Sequence, residues 1–312
     1  MSEKERVQIL LATYNGERFL HEQLRSLLNQ THNEIDILAS DDNSKDASRN
    51  ILKEHGIRFL SSDTPLGCIG NFSKLLQSRN APYLAFSDQD DVWLPEKIEN
   101  CMKAMNNAEQ KFSDKTPILI HTDLRVVDGS LNQIASSFWN YTGLDPLNKS
   151  ALSHLLVSNN VTGCTVLMNE ALANLIEGVP NEAIMHDWWA ALAAAAFGKI
   201  IALEKPSILY RQHGKNTLGA KKAGLKAYFD KVRDKERFAA ARKQQFKRKI
   251  QAEAFLDKYH TKLSQDQIAL FKTVIEADQK GWTHNQIQAY KQGLLRQNYM
   301  TRAVSLFLKN PF

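Results

Sequence analysis

Three carboxylates lie within four residues at Asp88, Asp90 and Asp91, directly after an apolar run that ends at Phe86. Like charges at this spacing repel one another, and a divalent cation would remove that repulsion. Mg²⁺ and Mn²⁺ prefer oxygen ligands and commonly bridge one or two carboxylates to the phosphates of a substrate. The segment therefore predicts a metal and phosphate site, and the alternative is a solvated acidic loop.

Two more polar segments could contribute to the same site. Residues 40–46 (SDDNSKD) carry carboxylates that could accept hydrogen bonds from a nucleobase or a ribose, although Asn43, Ser44 or Asp46 could also cap the next helix. Residues 12–17 (ATYNGE) precede a predicted helix whose N-terminus could bind an anion. Neither a dinucleotide-binding fingerprint nor a P-loop is present in the sequence.

The elements that position these segments alternate along the first hundred residues. Strands alternating with helices indicate βαβ units and a mostly parallel sheet, in which ligands bind beyond the carboxyl ends of the strands. The three polar segments all fall at that edge. Strands are predicted at residues 7–12, 35–39, 57–60, 83–86, 118–121, 160–168, 200–203 and 208–210. Helices are predicted at residues 17–29, 46–55, 71–79 and 184–197.

The composition is that of an ordinary soluble globular protein, with 312 residues, 43% hydrophobic and 24% charged. Cys68, Cys101 and Cys164 are widely spaced and outside any CxxC pair, which predicts free thiols in a reducing compartment. The N-terminal segment does not have the pattern of a signal peptide. The longest apolar run, residues 188–197, is too short to span a bilayer. We therefore expect a cytoplasmic protein.

Positive charge is concentrated near the C-terminus. Residues 221–249 contain twelve Lys or Arg and three Asp or Glu, within a chain of net charge +6. This change in composition predicts a boundary near Gly219, between residues 1–219 and a helical region at 220–312. A basic amphipathic helix would suit an anionic membrane surface, and the alternative is the solvated face of a packed helix. The C-terminal helices could also form a dimer, while no nucleic-acid-binding module accompanies the charge.

In their order and spacing, these segments resemble the family 2 glycosyltransferases of the GT-A fold, over about residues 5–219. The resemblance implies a GT-A nucleotide-sugar-binding fold, with a mostly parallel sheet flanked by helices, and a helical C-terminal extension. The matching segments are ATYNGERFLHEQLRSLLNQ, DDNSKD, LGCIGNF, FSDQDDVWLPEKI, MHDWW and ILYRQHG.

The resemblance also implies roles for individual residues. Asp187 matches the general base, although from the residues alone it could equally cap a helix. The metal, Mn²⁺ or Mg²⁺, would be held by Asp88, Asp90, Asp91 and His213, of which His213 could instead be a surface histidine. The acceptor side would include Gly163, Cys164, Trp188 and Trp189, of which Trp189 could be a core aromatic. The nucleotide sugar would contact Thr13, Tyr14, Asn15, Glu17, Asp41, Asp42, Asn71, Asp88, Gln89 and Trp93.

The implied reaction is an inverting, metal-dependent transfer of a sugar to an acceptor hydroxyl. Two features, FSDQDDVWLPEKI and HDWWAALAAAAFGKI with the later LYRQHGKN, are similar to bacterial rhamnosyltransferases of surface-polysaccharide synthesis, such as O-antigen, capsule and cell wall. This similarity implies dTDP-L-rhamnose as donor and a lipid-linked or growing polysaccharide as acceptor. The alternatives are a UDP- or GDP-sugar donor, a nucleotidyltransferase and a non-catalytic sugar-nucleotide or polysaccharide-binding module. A nucleotidyltransferase would need a Gly-rich, basic loop after the first strand, which residues 13–17 do not provide.

Overall fold

A computed structural model describes residues 5–147, 151–213 and 235–276. These residues form two compact units. The first contains residues 5–138, 161–181 and 185–213, and the second contains residues 139–147, 151–160, 182–184 and 235–276. The predicted boundary near Gly219 lies outside the described residues, as do residues 221–234 of the basic segment.

The first unit is an α/β structure built on two sheets. The main sheet has seven strands in the order β10-β6-β9-β4-β1-β2-β3, and only β9 runs antiparallel to its neighbours. A smaller sheet has the order β5-β11-β7-β8. The strands are Val7–Thr13 (β1), Ile35–Asp41 (β2), Arg58–Ser61 (β3), Tyr83–Ser87 (β4), Val92–Trp93 (β5), Ile118–Thr122 (β6), Arg125–Val127 (β7), Gln133–Ala135 (β8), Leu167–Asn169 (β9), Lys199–Leu203 (β10) and Ile208–Arg211 (β11).

Helices flank the main sheet, so the predicted α/β architecture with a mostly parallel sheet is confirmed. A parallel strand covered on both faces is a continuous apolar run, which explains why β1 and β4 were recognisable in the sequence. Over both units, the helices of the described residues are Glu17–Leu28 (α1), Ser48–Glu54 (α2), Gly67–Gln77 (α3), Lys97–Phe112 (α4), Phe138–Thr142 (α5), Leu152–Leu155 (α6), Glu170–Ile176 (α7), His186–Phe197 (α8), Lys235–Tyr259 (α9) and Gln265–Ile275 (α10); α6, α9 and α10 belong to the second unit.

The strand register brings the polar loops to one edge of the main sheet. Thr13 at the end of β1 pairs with Asp41 at the end of β2, and Leu11 pairs with Ser87 at the end of β4. The loops after these three strands therefore leave the sheet side by side. In the smaller sheet, β11 pairs with β5 through Ile208 and Trp93, which places residues 211–213 beside the acidic segment.

Two predicted elements differ from the structure. The predicted helix at 71–79 begins four residues earlier, because both carboxylate oxygens of Asp42 accept hydrogen bonds from the backbone N–H groups of Leu66 and Gly67. The predicted strand at 160–168 is wrong over most of its length. Gly163–Thr165 forms a 3₁₀ turn, and only the three-residue strand β9 follows.

The second unit is helical in the residues that the structure describes. The helix α10 begins with a capping box between Ser264 and Gln267. The rings of Phe255 on α9 and Phe271 on α10 are stacked, with centroids 4.9 Å apart, and both are fully buried. Within residues 5–147, 151–213 and 235–276, no helix combines the length and the apolar character needed to cross a bilayer.

Candidate active site

The acidic segment lies directly after β4 and is largely removed from solvent. Asp91 is fully buried, and its Oδ1 accepts a hydrogen bond of 3.0 Å from the backbone N–H of Arg211. Burial, followed by the charges of Asp90 and Asp187, raises the pKa of Asp88 to about 7. Burial and the charges of Asp90 and Asp88 likewise raise the pKa of Asp91. Carboxylates crowded in this way would be stabilised by a cation.

The donor atoms of this cluster suit a hard divalent ion. One ligand atom from each of Asp88, Asp91 and Cys164 lies within 4.8 Å of the other two. The carboxylate oxygens are the ligands that Mg²⁺ and Mn²⁺ prefer. The Cys164 thiol has its pKa raised well above the usual value, by burial first, so it remains protonated and is a poor ligand. The carboxylates therefore fit the predicted metal, whereas the buried Cys164 thiol donates a hydrogen bond to the Asp91 carboxylate.

The structure brings His213 to the acidic segment. Its Nε2 lies 2.7 Å from Oδ2 of Asp90, and its ring packs at 4.9 Å from the ring of Phe19. The neighbouring Arg211 is 2% exposed and donates hydrogen bonds to the carbonyl oxygens of Asp90 and Gly129. The pairing of β11 with β5 thus delivers both side chains to the acidic loop.

The segment after β2 contains two carboxylates with different surroundings. Asp41 accepts hydrogen bonds from Thr13 Oγ1, from the backbone N–H and the hydroxyl of Ser44, and from the guanidinium of Arg49. These donors fill the acceptor sites of its carboxylate, so Asp41 holds its own loop. Among the residues that the structure describes, Asp42 accepts hydrogen bonds from two backbone N–H groups and retains acceptor capacity for a ligand.

The loop after β1 is held by Gln89 of the acidic segment. Its Oε1 accepts a 2.8 Å hydrogen bond from the backbone N–H of Tyr14, and its Nε2 donates to the Tyr14 carbonyl at 3.0 Å. A Cβ on Gly16 would lie 2.2 Å from Oε1 of Gln89, so a larger residue at position 16 would push Gln89 aside. Tyr14 is 53% exposed and available to a ligand.

The other predicted donor residues connect these loops to one another. Asn15, which has a positive φ of 47°, accepts a hydrogen bond from the backbone N–H of Lys45 at 2.8 Å. Glu17 accepts one from the backbone N–H of Ala47 at 3.0 Å, and Asn71 donates to the carbonyl of Ser40 at 2.9 Å. These contacts fix the loops after β1 and β2 as one surface.

Asp187 lies in the first turn of α8 and is 7% exposed. Its carboxylate accepts hydrogen bonds from the backbone N–H groups of Trp188, at 2.6 Å, and of Gly163. Burial outweighs these bonds and raises the pKa of Asp187 to about 7. A carboxyl group with this pKa can accept a proton near neutral pH. The residue at the N-cap position is Met185, so Asp187 is not the helix cap.

Three tryptophans that the sequence predicts to contact the substrates have no exposed ring face. Trp93, Trp188 and Trp189 are 2%, 8% and 0% exposed. The ammonium of Lys97 also lies over the Trp93 ring, 3.4 Å from its centroid. Aromatic side chains of this size are frequently core residues, and these three are enclosed by protein. We therefore leave them, together with the buried Cys164, out of the proposed substrate contacts.

Sequence reasoning missed two residues of this region, Arg211 and His186. Arg211 lies in the segment ILYRQHG, but no pattern in that segment indicates that its side chain is buried. His186 directly precedes Asp187 and is 2% exposed. Its burial depends on Phe72 and Phe86, which come from distant parts of the chain.

Comparison with known proteins agrees with this geometry. Residues 8–121 match the model of the family described as Glycosyl transferase family 2. The chain is 30% identical over 230 residues to the dTDP-rhamnosyl transferase RfbG of Shigella flexneri, which covers 67% of this chain and 74% of the relative. This chain therefore belongs to the family 2 glycosyltransferases.

Solved structures show the same fold. TarS residues 1–349 of S. aureus, in complex with UDP-GlcNAc, superpose with a TM-score of 0.55 at 14% identity, covering 93% of each chain. The mannosyltransferase PcManGT of Pyrobaculum calidifontis, in complex with GDP-Man and Mn²⁺, gives a TM-score of 0.51 at 14% identity, covering 97% of this chain and 87% of that one. The fold is GT-A, as the sequence predicted.

Proposed function

We propose that this protein is an inverting, metal-dependent glycosyltransferase that transfers L-rhamnose from dTDP-L-rhamnose to a hydroxyl of a lipid-linked or growing surface polysaccharide. The observation that carries the proposal is the arrangement at one edge of the main sheet. Three carboxylates with His213 lie there, and the charge of Asp187 acts on the pKa of Asp88. A metal site beside a buried base is what transfer from a nucleotide sugar requires.

In this proposal Asp88, Asp90, Asp91 and His213 hold a Mn²⁺ or Mg²⁺ ion. A bound ion supplies charge neutralisation to the diphosphate as it leaves. PcManGT, whose complex contains GDP-Man and Mn²⁺, supports this assignment by analogy of fold. Arg211 keeps the acidic loop in place through the Asp90 carbonyl and the buried Asp91 carboxylate.

Asp187 acts as the general base. It takes the proton of the acceptor hydroxyl while the hydroxyl oxygen attacks C1 of the donor sugar, on the face opposite the diphosphate. A new C1–O bond forms, the bond from C1 to the diphosphate oxygen breaks, and the nucleoside diphosphate leaves. This single displacement inverts the anomeric centre. Proton removal by a positioned base contributes roughly 10²–10⁴-fold to the rate.

The nucleotide sugar binds across the loops after β1 and β2. Tyr14 is exposed there, and Asp42 has remaining acceptor capacity, so both suit a nucleobase or ribose. The relative RfbG supports dTDP-rhamnose as the donor. The complexes of TarS with UDP-GlcNAc and of PcManGT with GDP-Man keep UDP- and GDP-sugars as alternative donors.

A thermal-shift screen of nucleotide sugars, with and without Mn²⁺, tests the donor. A ligand at 100 times its dissociation constant adds about 2.7 kcal/mol of stability. We expect a Mn²⁺-dependent shift with dTDP-rhamnose, followed by transfer of rhamnose to an acceptor in the same mixture. A shift with a UDP- or GDP-sugar instead would identify that nucleotide sugar as the donor. Donor binding without turnover would favour the non-catalytic binding module.

The C-terminal region provides the second part of the proposal, which is association of residues 220–312 with the anionic inner face of the cytoplasmic membrane. The support is the charge of residues 221–249, with twelve Lys or Arg against three Asp or Glu. Each cation near such a surface contributes about 1 kcal/mol. Full-length protein should co-sediment with anionic vesicles at low salt and dissociate at high salt. Retention on neutral vesicles alone, or a dimer without vesicle binding, would contradict it.

A further inference from the structure

His186 begins α8 immediately before Asp187, and it is buried between aromatic rings. Its imidazole stacks on Phe72 with centroids 3.6 Å apart and 15° between the ring planes. Phe86 meets it edge-on at 4.9 Å. Burial lowers the pKa of His186 to about 3, so the ring is neutral at physiological pH. The two phenylalanines therefore fix the position of an uncharged ring next to the proposed base.

The other edge of this ring faces Gly163. A Cβ on Gly163 would lie 2.8 Å from Nε2 and 3.2 Å from Cε1 of His186, and 3.5 Å from Cβ of Asp187. The first distance is too short for two unbonded heavy atoms. The ring cannot swing away easily, because it is stacked on Phe72. Gly163 is therefore held in direct contact with His186, and only glycine fits at this position.

Gly163 in turn contacts the base. Its backbone N–H donates a hydrogen bond to the carboxylate of Asp187. Gly163 lies in the 3₁₀ turn Gly163–Thr165, whereas Asp187 lies in α8, so this bond joins two elements. The position of the turn, together with the Trp188 N–H on α8, therefore sets where the carboxylate points.

One further feature distinguishes His186 from an ordinary core residue. Its Nε2 is buried and has no hydrogen-bond partner within the part of the chain that the structure describes. Buried polar atoms are nearly always paired, and the other ring nitrogen, Nδ1, lies 3.8 Å from Sγ of Cys68. The Phe72 stack and the Cys68 contact therefore hold the ring, and its unpaired Nε2 edge is the one that faces Gly163.

We propose that His186 is a positioning residue for Asp187: its ring sets the place of the Gly163 turn, whose N–H orients the carboxylate toward the acceptor hydroxyl. The inference rests on the proposed function, since it assigns a role to a neighbour of the general base. The loops after β1 and β2, where Tyr14 and Asp42 are proposed to bind the donor, do not include this contact. Displacing the turn should therefore affect the chemical step and leave donor binding intact.

The test compares three variants with the wild-type enzyme. Gly163→Ala should lower kcat by roughly 10²-fold, since misplacement of a reacting group by about 1 Å has an effect of that size. His186→Ala should lower kcat by about tenfold, because the turn loses its support but meets no clash. The double variant should match His186→Ala, about tenfold above Gly163→Ala alone, because contacting residues are not additive. The KM for the donor should stay within about twofold throughout.

Ile51→Ala is the matched control for loss of a buried side chain. Ile51 lies on α2 and is 4% exposed, so this change should lower the melting temperature without lowering kcat. If His186→Ala does not fold, Gly163→Ala still tests the inference through its kcat and donor KM. A double variant as inactive as Gly163→Ala, or a raised donor KM with unchanged kcat, would overturn the positioning role.

Asp187→Asn is measured alongside these variants, to separate the base role of Asp187 from the positioning role of His186. If the wild-type enzyme transfers sugar and Asp187→Asn does not, the base assignment holds and the variants above decide the role of His186. If the wild-type enzyme transfers no sugar, the proposed function is wrong. If Asp187→Asn is fully active, the base assignment is wrong. The positioning role of His186 is overturned in either case.

Discussion

Nε2 of His213 lies 2.7 Å from Oδ2 of Asp90, although 123 residues separate them in the sequence. The two side chains are 13% and 19% exposed, so the pair is largely shielded from solvent. The pairing of β11 with β5 creates this contact, because it places His213, two residues beyond Arg211, beside the acidic loop. A carboxylate and an imidazole at this distance can turn toward a shared ion.

Asp90→Ala should abolish Mn²⁺-dependent donor binding. The variant removes an oxygen ligand and the carboxylate that His213 contacts, while the loops after β1 and β2 remain intact. Calorimetric titration with Mn²⁺ and the thermal shift with donor and Mn²⁺ measure the effect. Asp114→Ala is the control, because Asp114 is an exposed carboxylate between α4 and β6. Unchanged Mn²⁺ affinity in Asp90→Ala would remove Asp90 from the metal site.

The rate of transfer should depend on pH through Asp187. A general base acts as the carboxylate, and burial raises the pKa of Asp187 to about 7. We therefore expect kcat to rise with pH up to about 7 and to level off above it. Asp187→Asn should remove this acidic limb and lower kcat by at least about 10²-fold. A kcat that stays constant from about two pH units below this pKa to about one unit above it would contradict the assignment.

The same group should make the folded protein less stable at higher pH. The ordinary pKa of 3.8 applies to Asp187 in the unfolded chain, against about 7 in the fold. Between these values the folded state binds a proton that the unfolded state has released, so stability falls as pH rises. Asp187→Asn removes this effect. The melting temperature of Asp187→Asn in EDTA should equal that of the wild type at low pH and exceed it above neutral pH. Equal melting temperatures of the two proteins at every pH would show that the pKa of Asp187 is not raised.

The main sheet could be predicted because of how its strands are covered. β1, β2 and β4 lie inside the mostly parallel main sheet, and their apolar runs are visible without any knowledge of the fold. Their register then places Thr13, Asp41 and Ser87 at one edge, which located the site. β9 could not be predicted in this way, because it is three residues long and its pairing with β4 and β6 is antiparallel.

The surroundings of individual side chains could not be predicted from the sequence. Asp41 and Asp42 are adjacent and chemically identical, yet Ser44 and Arg49 fill the acceptor sites of Asp41 alone. The burial of Trp189 likewise depends on the packing around α8, because a tryptophan suits a sugar-binding surface and a core equally well. Distant parts of the chain determine both features, and local patterns carry no information about them.

Arg211→Lys should weaken the metal site and the fold together. The Arg211 guanidinium donates to the carbonyl oxygens of Asp90 and Gly129, bonds the carboxylate of Glu22, and lies 4.4 Å from the centroid of the Phe19 ring. A lysine ammonium is a single charged point and cannot donate in these three directions from one plane. The acidic loop should then lose its support, and Mn²⁺ affinity should fall roughly 10–100-fold, as it does when groups that orient metal ligands are removed.

Melting temperature and Mn²⁺ titration measure the two effects of Arg211→Lys. Each lost hydrogen bond to a charged group should reduce the free energy of unfolding by about 1.5–3 kcal/mol. Glu22→Gln is the matched control: the Glu22 side chain is 49% exposed, so its ion pair with Arg211 should contribute at most about 1 kcal/mol. If Arg211→Lys kept wild-type Mn²⁺ affinity while Glu22→Gln lost it, the acidic loop would be held through Glu22, and the bond from Arg211 to the Asp90 carbonyl would be incidental.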